Sequence, residues 1–233
     1  MRRSSMVWLA AAMSFGLIGA ARAADLPLKA PRLAAPYDWT GPYLGVVGGI
    51  AWGHSDQTDT GVNLGDGSYA VNGGVAGGTL GYNWQQGGLV FGIEGDFSWA
   101  DISGSSDTCG AAFFIPHPCG SKVETLGTLR ARLGAALGAT GNWLAYATGG
   151  VAGGRLNAWD SFWPASGSDF RIGWTAGGGI EAGLARNLTV KLEYLYVDLG
   201  RRDMFDIVPG TPETVSFTAN IVRAGINYRF VTY

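Results

Sequence analysis

The feature that most constrains this chain is an alternation of apolar and polar residues with a period of two, found in eight segments after Trp39. In the third segment, Phe91 and Ile93 share one face and Glu94 and Asp96 share the other. Successive side chains of a strand point to opposite faces, so the pattern predicts β-strands. The first and fifth segments are rich in glycine and are placed by position. The predicted strands are 43–53, 74–84, 89–100, 123–137, 144–156, 170–184, 188–199 and 217–230.

The connections between these strands alternate strictly between long and short. Short turns are predicted at 85–88, 138–142 and 185–187. Longer external loops, suited to recognition, are predicted at 55–73, 101–122, 157–169 and 200–216. Short periplasmic turns and long external loops are typical of outer-membrane barrels. The sequence therefore predicts an all-β fold, an eight-stranded antiparallel up-and-down transmembrane β-barrel with both termini in the periplasm.

A soluble eight-stranded barrel is the structural alternative, with its apolar face inside and its polar face outside. Two observations favour the membrane barrel. Aromatic residues lie near the predicted strand ends, as interfacial girdles require, at Tyr43, Trp52, Tyr82, Trp84, Trp99, Trp143, Trp174 and Tyr228. The polar face carries both charge signs, which can pair inside a narrow lumen. This predicted lumen charge network comprises Glu94, Asp96, Glu124, Arg130, Arg132, Arg155, Arg171, Glu181, Lys191, Glu193 and Arg223.

The amino end is typical of a secretory signal peptide. Arg2 and Arg3 precede an uncharged, mainly apolar run at 6–20, which is too short to span a bilayer comfortably. Small residues around position 23 predict a signal peptide at 1–23, cleaved after Ala23, with an amino-terminal membrane anchor as the alternative. The proline-rich segment 24–38 is predicted to be a periplasmic tether and 39–230 the barrel. The predicted location is the bacterial outer membrane.

Charge and cysteine content narrow the function further. The predicted signal holds three arginines and no acidic residue, so the remaining chain carries 13 basic and 18 acidic side chains. With this excess of acidic side chains, the chain has no basic patch of the kind that binds nucleic acid. Cys109 and Cys119 follow an export signal, which predicts a disulfide that closes a small loop.

Several segments together resemble a known family. They are DWTGPYLGVVGG at 38–49, GGTLGYNWQ at 77–85, FGIEGDFSWADISG at 91–104, GTLRARLGAALG at 127–138, LAYATGGVA at 144–152, GWTAGGGIEAGLARNLTVKLEYLYVDLG at 173–200 and VRAGINYRF at 222–230. In this order they resemble the small outer-membrane β-barrel proteins of alpha-proteobacteria, described as outer-membrane immunogenic proteins or porin-family barrels. These are distant relatives of the membrane domain of outer-membrane protein A. The resemblance implies roles in envelope integrity and surface exposure, with pore formation or haem binding in some members. It does not imply an enzyme.

The resemblance also implies two terminal features. Barrels of this type end on an aromatic residue that the barrel-assembly machinery reads, and Tyr228 and Phe230 match that signal here, followed by an overhang at 231–233. Cleavage after Ala23 would expose Ala24 and Asp25, which look like the peptidoglycan attachment point of related barrels. The free α-amino group titrates near neutrality and can act as a nucleophile.

Catalytic chemistry has little support in the sequence. The chain has two histidines, His54 and His117, and lacks an HExxH or GxSxG motif. We therefore predict no enzyme, metal or cofactor. The histidines are nevertheless candidate axial ligands for a surface haem. The function predicted is a closed, envelope-stabilising barrel, with a narrow porin for small solutes or a haem-binding protein as alternatives. The expected partners are outer-membrane lipids and lipopolysaccharide, the barrel-assembly machinery and peptidoglycan.

Overall fold

The computed structural model describes residues 36–59, 67–109, 117–161, 165–208 and 211–230. The predicted signal peptide, Ala24, Asp25 and the carboxy-terminal overhang lie outside the described residues. No helix in the described ranges is long and apolar enough to cross a membrane.

Eight antiparallel strands follow one another around a closed barrel, and β1 pairs with β8 to complete the ring. The strands are β1 (Gly41–Asp59), β2 (Gly67–Gln86), β3 (Leu89–Cys109), β4 (His117–Leu137), β5 (Trp143–Asp160), β6 (Ala165–Ala185), β7 (Leu188–Val208) and β8 (Thr211–Arg229). The predicted fold class, strand number and strand order are confirmed.

Three tight turns lie at the same end of the barrel as the first and last described residues. Gly87, Gly138 and Gly141 adopt φ values of 61°, 87° and 68° in these turns, a left-handed conformation that favours glycine. We call this the turn end and the opposite one the loop end. The half of the barrel nearer the turn end is called the turn half, and the half nearer the loop end is called the loop half.

The strands extend farther toward the loop end than the alternation predicts. They are 18 to 21 residues long, whereas a tilted strand crosses a bilayer in about 9–11 residues. Exposed apolar side chains cover a belt of that height, from Leu44 to Trp52 in β1 and from Leu89 to Trp99 in β3. Beyond the belt the strands continue with polar outer faces, so much of the sequence predicted as external loops is strand.

At the loop end the barrel wall divides into two four-stranded sheets. Among the described residues, the β2–β3 pairing ends at Asn72 and Ser103, and the β6–β7 pairing ends at Trp174 and Asp198. The other neighbouring strands remain paired farther out. One sheet is therefore β7-β8-β1-β2 and the other is β3-β4-β5-β6. We call the two separations the β2/β3 seam and the β6/β7 seam.

Candidate functional site

Eight charged side chains meet inside the turn half, at the depth of the apolar belt. Four are acidic and four are basic, and each residue is at most 8% exposed. All eight belong to the predicted lumen network. We call this set the charge layer: Glu94 and Asp96 of β3, Arg130 and Arg132 of β4, Glu181 of β6, Lys191 and Glu193 of β7, and Arg223 of β8. Their formal charges cancel.

Arg130 lies at the centre of the charge layer and contacts three carboxylates. Its guanidinium nitrogens are 2.6 Å from Glu94 Oε1, 2.9 Å from Asp96 Oδ2 and 3.0 Å from Glu193 Oε1. Its Nε donates to Thr128 Oγ1 at 2.9 Å. Every nitrogen of this side chain therefore has an acceptor, as a buried guanidinium requires.

Arg223 and Lys191 approach the same carboxylates from the opposite wall. Arg223 donates to both oxygens of Asp96 at 3.0 Å, and its Nε donates to Glu193 at 2.7 Å. This bidentate geometry fixes direction as well as distance. Lys191 Nζ lies 2.9 and 2.8 Å from the two oxygens of Glu94.

Arg132 connects the layer to β1, β5 and β6. It donates to Tyr43 Oη at 2.7 Å and to Glu181 at 2.8 Å, and its guanidinium lies 3.9 Å from the Tyr146 ring centroid. Tyr43 donates to Glu94 at 2.8 Å. Tyr43 is thus an interior residue, and its assignment to the outer aromatic girdle is wrong, because its register turns it inward.

The charge layer spans the lumen of the turn half. An isolated ion in a low-dielectric interior is very unfavourable, whereas matched and hydrogen-bonded ions are tolerated. Here the side chains come from β3, β4, β6, β7 and β8, with Tyr43 and Tyr146 from β1 and β5. The layer therefore ties facing walls of the barrel together.

The interior of the loop half is mainly apolar, which the sequence interpretation missed. We call this region the loop-half core; its largest fully buried side chains are Ile102, Leu156, Leu195, Leu199, Phe217 and Ile221. Along β3 the inward residues change from Glu94 and Asp96 to Ile102, while the outward residues change from Trp99 to Asp101. The period of two persists, but the polarity of the two faces is exchanged. This exchange is the signal that could have revealed the core.

Two members of the predicted network lie elsewhere: Glu124 and Arg155 are exposed on the outer surface. The register between β4 and β5 shifts between Val123 and Thr125, and this irregularity turns Glu124 outward. Arg155 follows the regular alternation of β5, in which Leu156 points inward. The glycines of β5 hid that phase in the sequence.

Arg171 is fully buried but stands apart from the charge layer. It donates to the backbone carbonyl oxygens of Val215 and of Arg202, the latter at 3.2 Å. Within the described residues no carboxylate lies within ion-pair distance of it.

The segment before β1 covers the turn-end mouth. Trp39 is fully buried against Val90, Leu144 and Tyr146, and its indole donates to the carbonyl oxygen of Gly141 at 2.8 Å. The mouth is therefore filled by a residue that the sequence analysis did not single out.

Arg229 and Tyr37 hold this segment in place. Arg229 donates to the carbonyl oxygens of Asp38 and Thr40 at 2.6 and 3.1 Å, and the Tyr37 amide donates to Thr140 at 2.7 Å. Burial raises the pKa of the Tyr37 phenol, partly offset by Arg229. Tyr37 and Asp38, which the sequence assigns to the free tether, are thus bound to the barrel.

The remaining predicted site residues are dispersed. Cys109 and Cys119 form a disulfide with their Cα atoms 6.0 Å apart. His54 is exposed on β1, whereas His117 begins β4, so the structure does not place the two on neighbouring strands. Tyr228 and Phe230 both face outward, with ring centroids 5.2 Å apart. Among described residues, no group of three acidic, histidine or cysteine side chains could hold a metal ion.

Comparison with known proteins agrees with this geometry. The family model described as "Outer membrane protein beta-barrel domain" matches residues 10–230. The chain is 38% identical to a 31 kDa outer-membrane immunogenic protein of Brucella melitensis biotype 1, covering 90% of this chain and 93% of that protein. It is 33% identical to a 25 kDa outer-membrane immunogenic protein of Brucella abortus biovar 1, covering 88% and 85%.

A third relative comes from another genus. The 22 kDa outer membrane protein of Rhizobium leguminosarum bv. viciae is 31% identical, covering 82% of this chain and 78% of that protein. The resemblance drawn from the sequence motifs is confirmed by these relatives. With its closed ring of eight strands and its outward apolar belt, the chain belongs to the outer-membrane β-barrel protein family.

Proposed function

We propose that this outer-membrane protein is a closed, non-catalytic barrel that stabilises the cell envelope and displays its loop end at the surface. The charge layer carries this proposal, because four acidic and four basic side chains pair across the lumen at distances of 2.6 to 3.2 Å. Eight strands enclose an interior just wide enough for side chains to fill. The loop-half core adds a second filled layer in series.

The conducting state of the lumen tests the proposal. Purified protein, shown to be folded by heat-modifiable mobility, is inserted into planar bilayers and its single-channel current is recorded. We expect silence, because on this proposal the paired ions of the charge layer occupy the lumen. Steady, reproducible steps that change when Arg132 or Glu94 is substituted would instead make the protein a narrow porin, with those residues lining the path.

We further propose that the chain is tethered to peptidoglycan through the α-amino group of Ala24. In this family short turns face the periplasm, and Tyr37 and Trp39 are bound at the turn end. Residues 24–35 would then leave the barrel on the cell-wall side. The unprotonated amine could attack an acyl-enzyme that a transpeptidase forms on a stem peptide, joining the two by an amide bond and releasing the enzyme.

Digestion of isolated cell wall tests this linkage. Lysozyme followed by trypsin should release the peptide 24–29 carrying a muropeptide on its amino group, visible as a mass increase. The matched control is the same peptide from the detergent-soluble membrane fraction, which should be unmodified. Recovery of only unmodified peptide from the cell wall would refute the tether and leave the closed-barrel proposal standing.

A further inference from the structure

The short segment that leads into β1 is bonded beside every turn at the turn end. The Trp39 amide donates to Gln85 Oε1, beside the β2–β3 turn, at 2.7 Å. The Tyr37 amide donates to the Thr140 carbonyl oxygen in the β4–β5 turn at 2.7 Å. Tyr37 Oη donates to the Ala185 carbonyl oxygen, beside the β6–β7 turn, at 3.2 Å. One short stretch of chain therefore connects all three tight turns.

Arg229 ties the same segment to β8, the last strand. Its guanidinium donates to the carbonyl oxygens of Asp38 and Thr40. The same group lies 5.1 Å from the ring centroid of Tyr37 and 5.6 Å from that of Trp39, within the range of cation–π attraction. The first and last strands are thus joined through this segment as well as through their backbone pairing.

Arg229 depends on the segment for its partners. The residue is only 2% exposed, and within the described residues no carboxylate lies within ion-pair distance of it. Its described acceptor outside the segment is the Arg186 carbonyl oxygen, at 3.4 Å. Hydrogen bonds from a charged donor are stronger than neutral ones. Docking of the segment and burial of Arg229 therefore depend on each other.

The two aromatic rings of the segment are closely seated. Trp39 is fully buried against Val90 and Leu144, and a Cβ atom at Gly183 would overlap the Tyr37 ring. The ring centroids of Tyr37 and Trp39 are 4.7 Å apart. Because each ring packs on the other, release of one loosens the site of the other.

The position of these contacts decides how a pull on the preceding chain is carried. Without them, the force would act on the start of β1, where Tyr43 pairs with Arg229, and the hydrogen bonds of the strand would break one after another. With them, the force first meets several bonds that end on β8 and on three turns. Bonds that are loaded together share the force, so breaking them requires more force than peeling a strand.

We propose that residues 37–40 and Arg229 form a load-bearing anchor, which passes tension from the amino-terminal segment to the whole barrel and prevents β1 from being peeled away. In the cell this role rests on the proposed peptidoglycan tether, because the tether is the source of the tension. The anchor protects the β1–β8 pairing that closes the ring.

Single-molecule pulling on the full-length protein in a lipid bilayer tests the anchor. A handle on the amino group of Ala24 applies the force, and only preparations that remain heat-modifiable are used. Charge-assisted hydrogen bonds are roughly twice as strong as neutral ones, so R229Q should lower the first rupture force by about half. Trp39→Ala, which removes the buried ring and its hydrogen bond, should also lower this force.

The matched control is R186Q. Arg186 contributes only its backbone carbonyl oxygen to the anchor and its side chain is exposed, so this variant should rupture at the wild-type force. An unchanged first rupture force in both R229Q and Trp39→Ala, or an equal loss in R186Q, would overturn the proposal.

A second pulling geometry separates load-bearing from a general loss of stability. With the handle on Thr108, which is exposed at the loop end of β3, the first rupture force should be the same in R229Q and the wild type. An equal drop in both geometries would contradict the anchor. These measurements use no peptidoglycan, so a failure of the tether in the cell-wall digestion would leave the anchor standing, and the reverse also holds.

Discussion

The turn half and the loop half of this barrel fill the same lumen with opposite chemistry. In the turn half, buried ions from facing walls neutralise one another, as where Arg130 meets Glu94 and Glu193. In the loop half, apolar side chains such as Phe217 and Leu156 occupy the interior. The difference shows that the polarity of the inward residues in each layer depends on whether lipid or water surrounds the barrel at that height. Lipid outside requires an apolar outer face, whereas water outside lets the hydrophobic effect hold an apolar core.

The largest expected loss of stability comes from removing the carboxylate that three cations of the charge layer share. Glu94→Gln leaves Arg130, Arg132 and Lys191 short of a partner, and we expect a loss of about 3–5 kcal/mol in the free energy of unfolding. Urea unfolding in lipid vesicles measures it.

Two further variants control for that effect. Glu124→Gln, on the exposed outer surface, should leave the urea midpoint unchanged. Adding Lys191→Met to Glu94→Gln restores charge balance and should recover part of the loss. An equal effect of Glu94→Gln and Glu124→Gln would show that pairing in the lumen does not stabilise the barrel.

The corresponding lesion in the loop half is Phe217→Ala, which leaves a cavity in an apolar interior. We expect a loss of about 3 kcal/mol, at the low end of the range for buried aromatic truncation. Urea unfolding measures the size of the stability loss, and hydrogen exchange shows which strands are loosened. The matched control is Phe170→Ala, since Phe170 is 58% exposed on the outer face. Equal losses from the two variants would argue against a packed loop-half core.

These two halves also differ in how far sequence alone could predict them. The alternation in β3, β6, β7 and β8 identified Glu94, Arg171, Lys191 and Arg223 as inward residues, because lipid-facing neighbours make the phase unmistakable. Strand extensions beyond the belt carry no such apolar outer face, and they were therefore interpreted as loops.

Local irregularities set a second limit on prediction. Glu124 lies at a register shift that depends on the neighbouring strand, and Arg155 lies among glycines that carry no phase information. The mouth-filling role of Trp39 and the seam spanned by Arg171 depend on contacts between distant segments. None of these can be derived from a period along one strand.

A milder test loosens the loop half alone. Replacing both cysteines, as Cys109→Ser/Cys119→Ser, should lower the free energy of unfolding by about 2 kcal/mol, since the bridge closes a short loop. Faster hydrogen exchange should appear in β3 and β4 near the loop end and not beside the charge layer. Loss of protection around Arg130 of similar size would mean that the two halves do not behave as separate layers.

The smallest expected effect concerns the outer surface itself. Arg155→Gln should change neither the urea midpoint nor the bilayer current, because this side chain is exposed and belongs to neither interior layer. A clear shift in either measurement would mean that Arg155 belongs to the lumen charge network, in contradiction to its exposed position in the structure.

The most direct test of two filled layers in series is the single-channel current of variants that thin one layer at a time. Replacing Arg130, Arg223, Asp96 and Glu193 by Ala thins the charge layer while keeping it neutral, and Phe217→Ala/Ile221→Ala thins the loop-half core. We predict that each variant alone, once shown to be folded, stays silent and that the combination conducts when Trp39→Ala also opens the turn-end mouth. Steady current from the charge-layer variant alone would contradict the account, because the loop-half core would then not close the lumen.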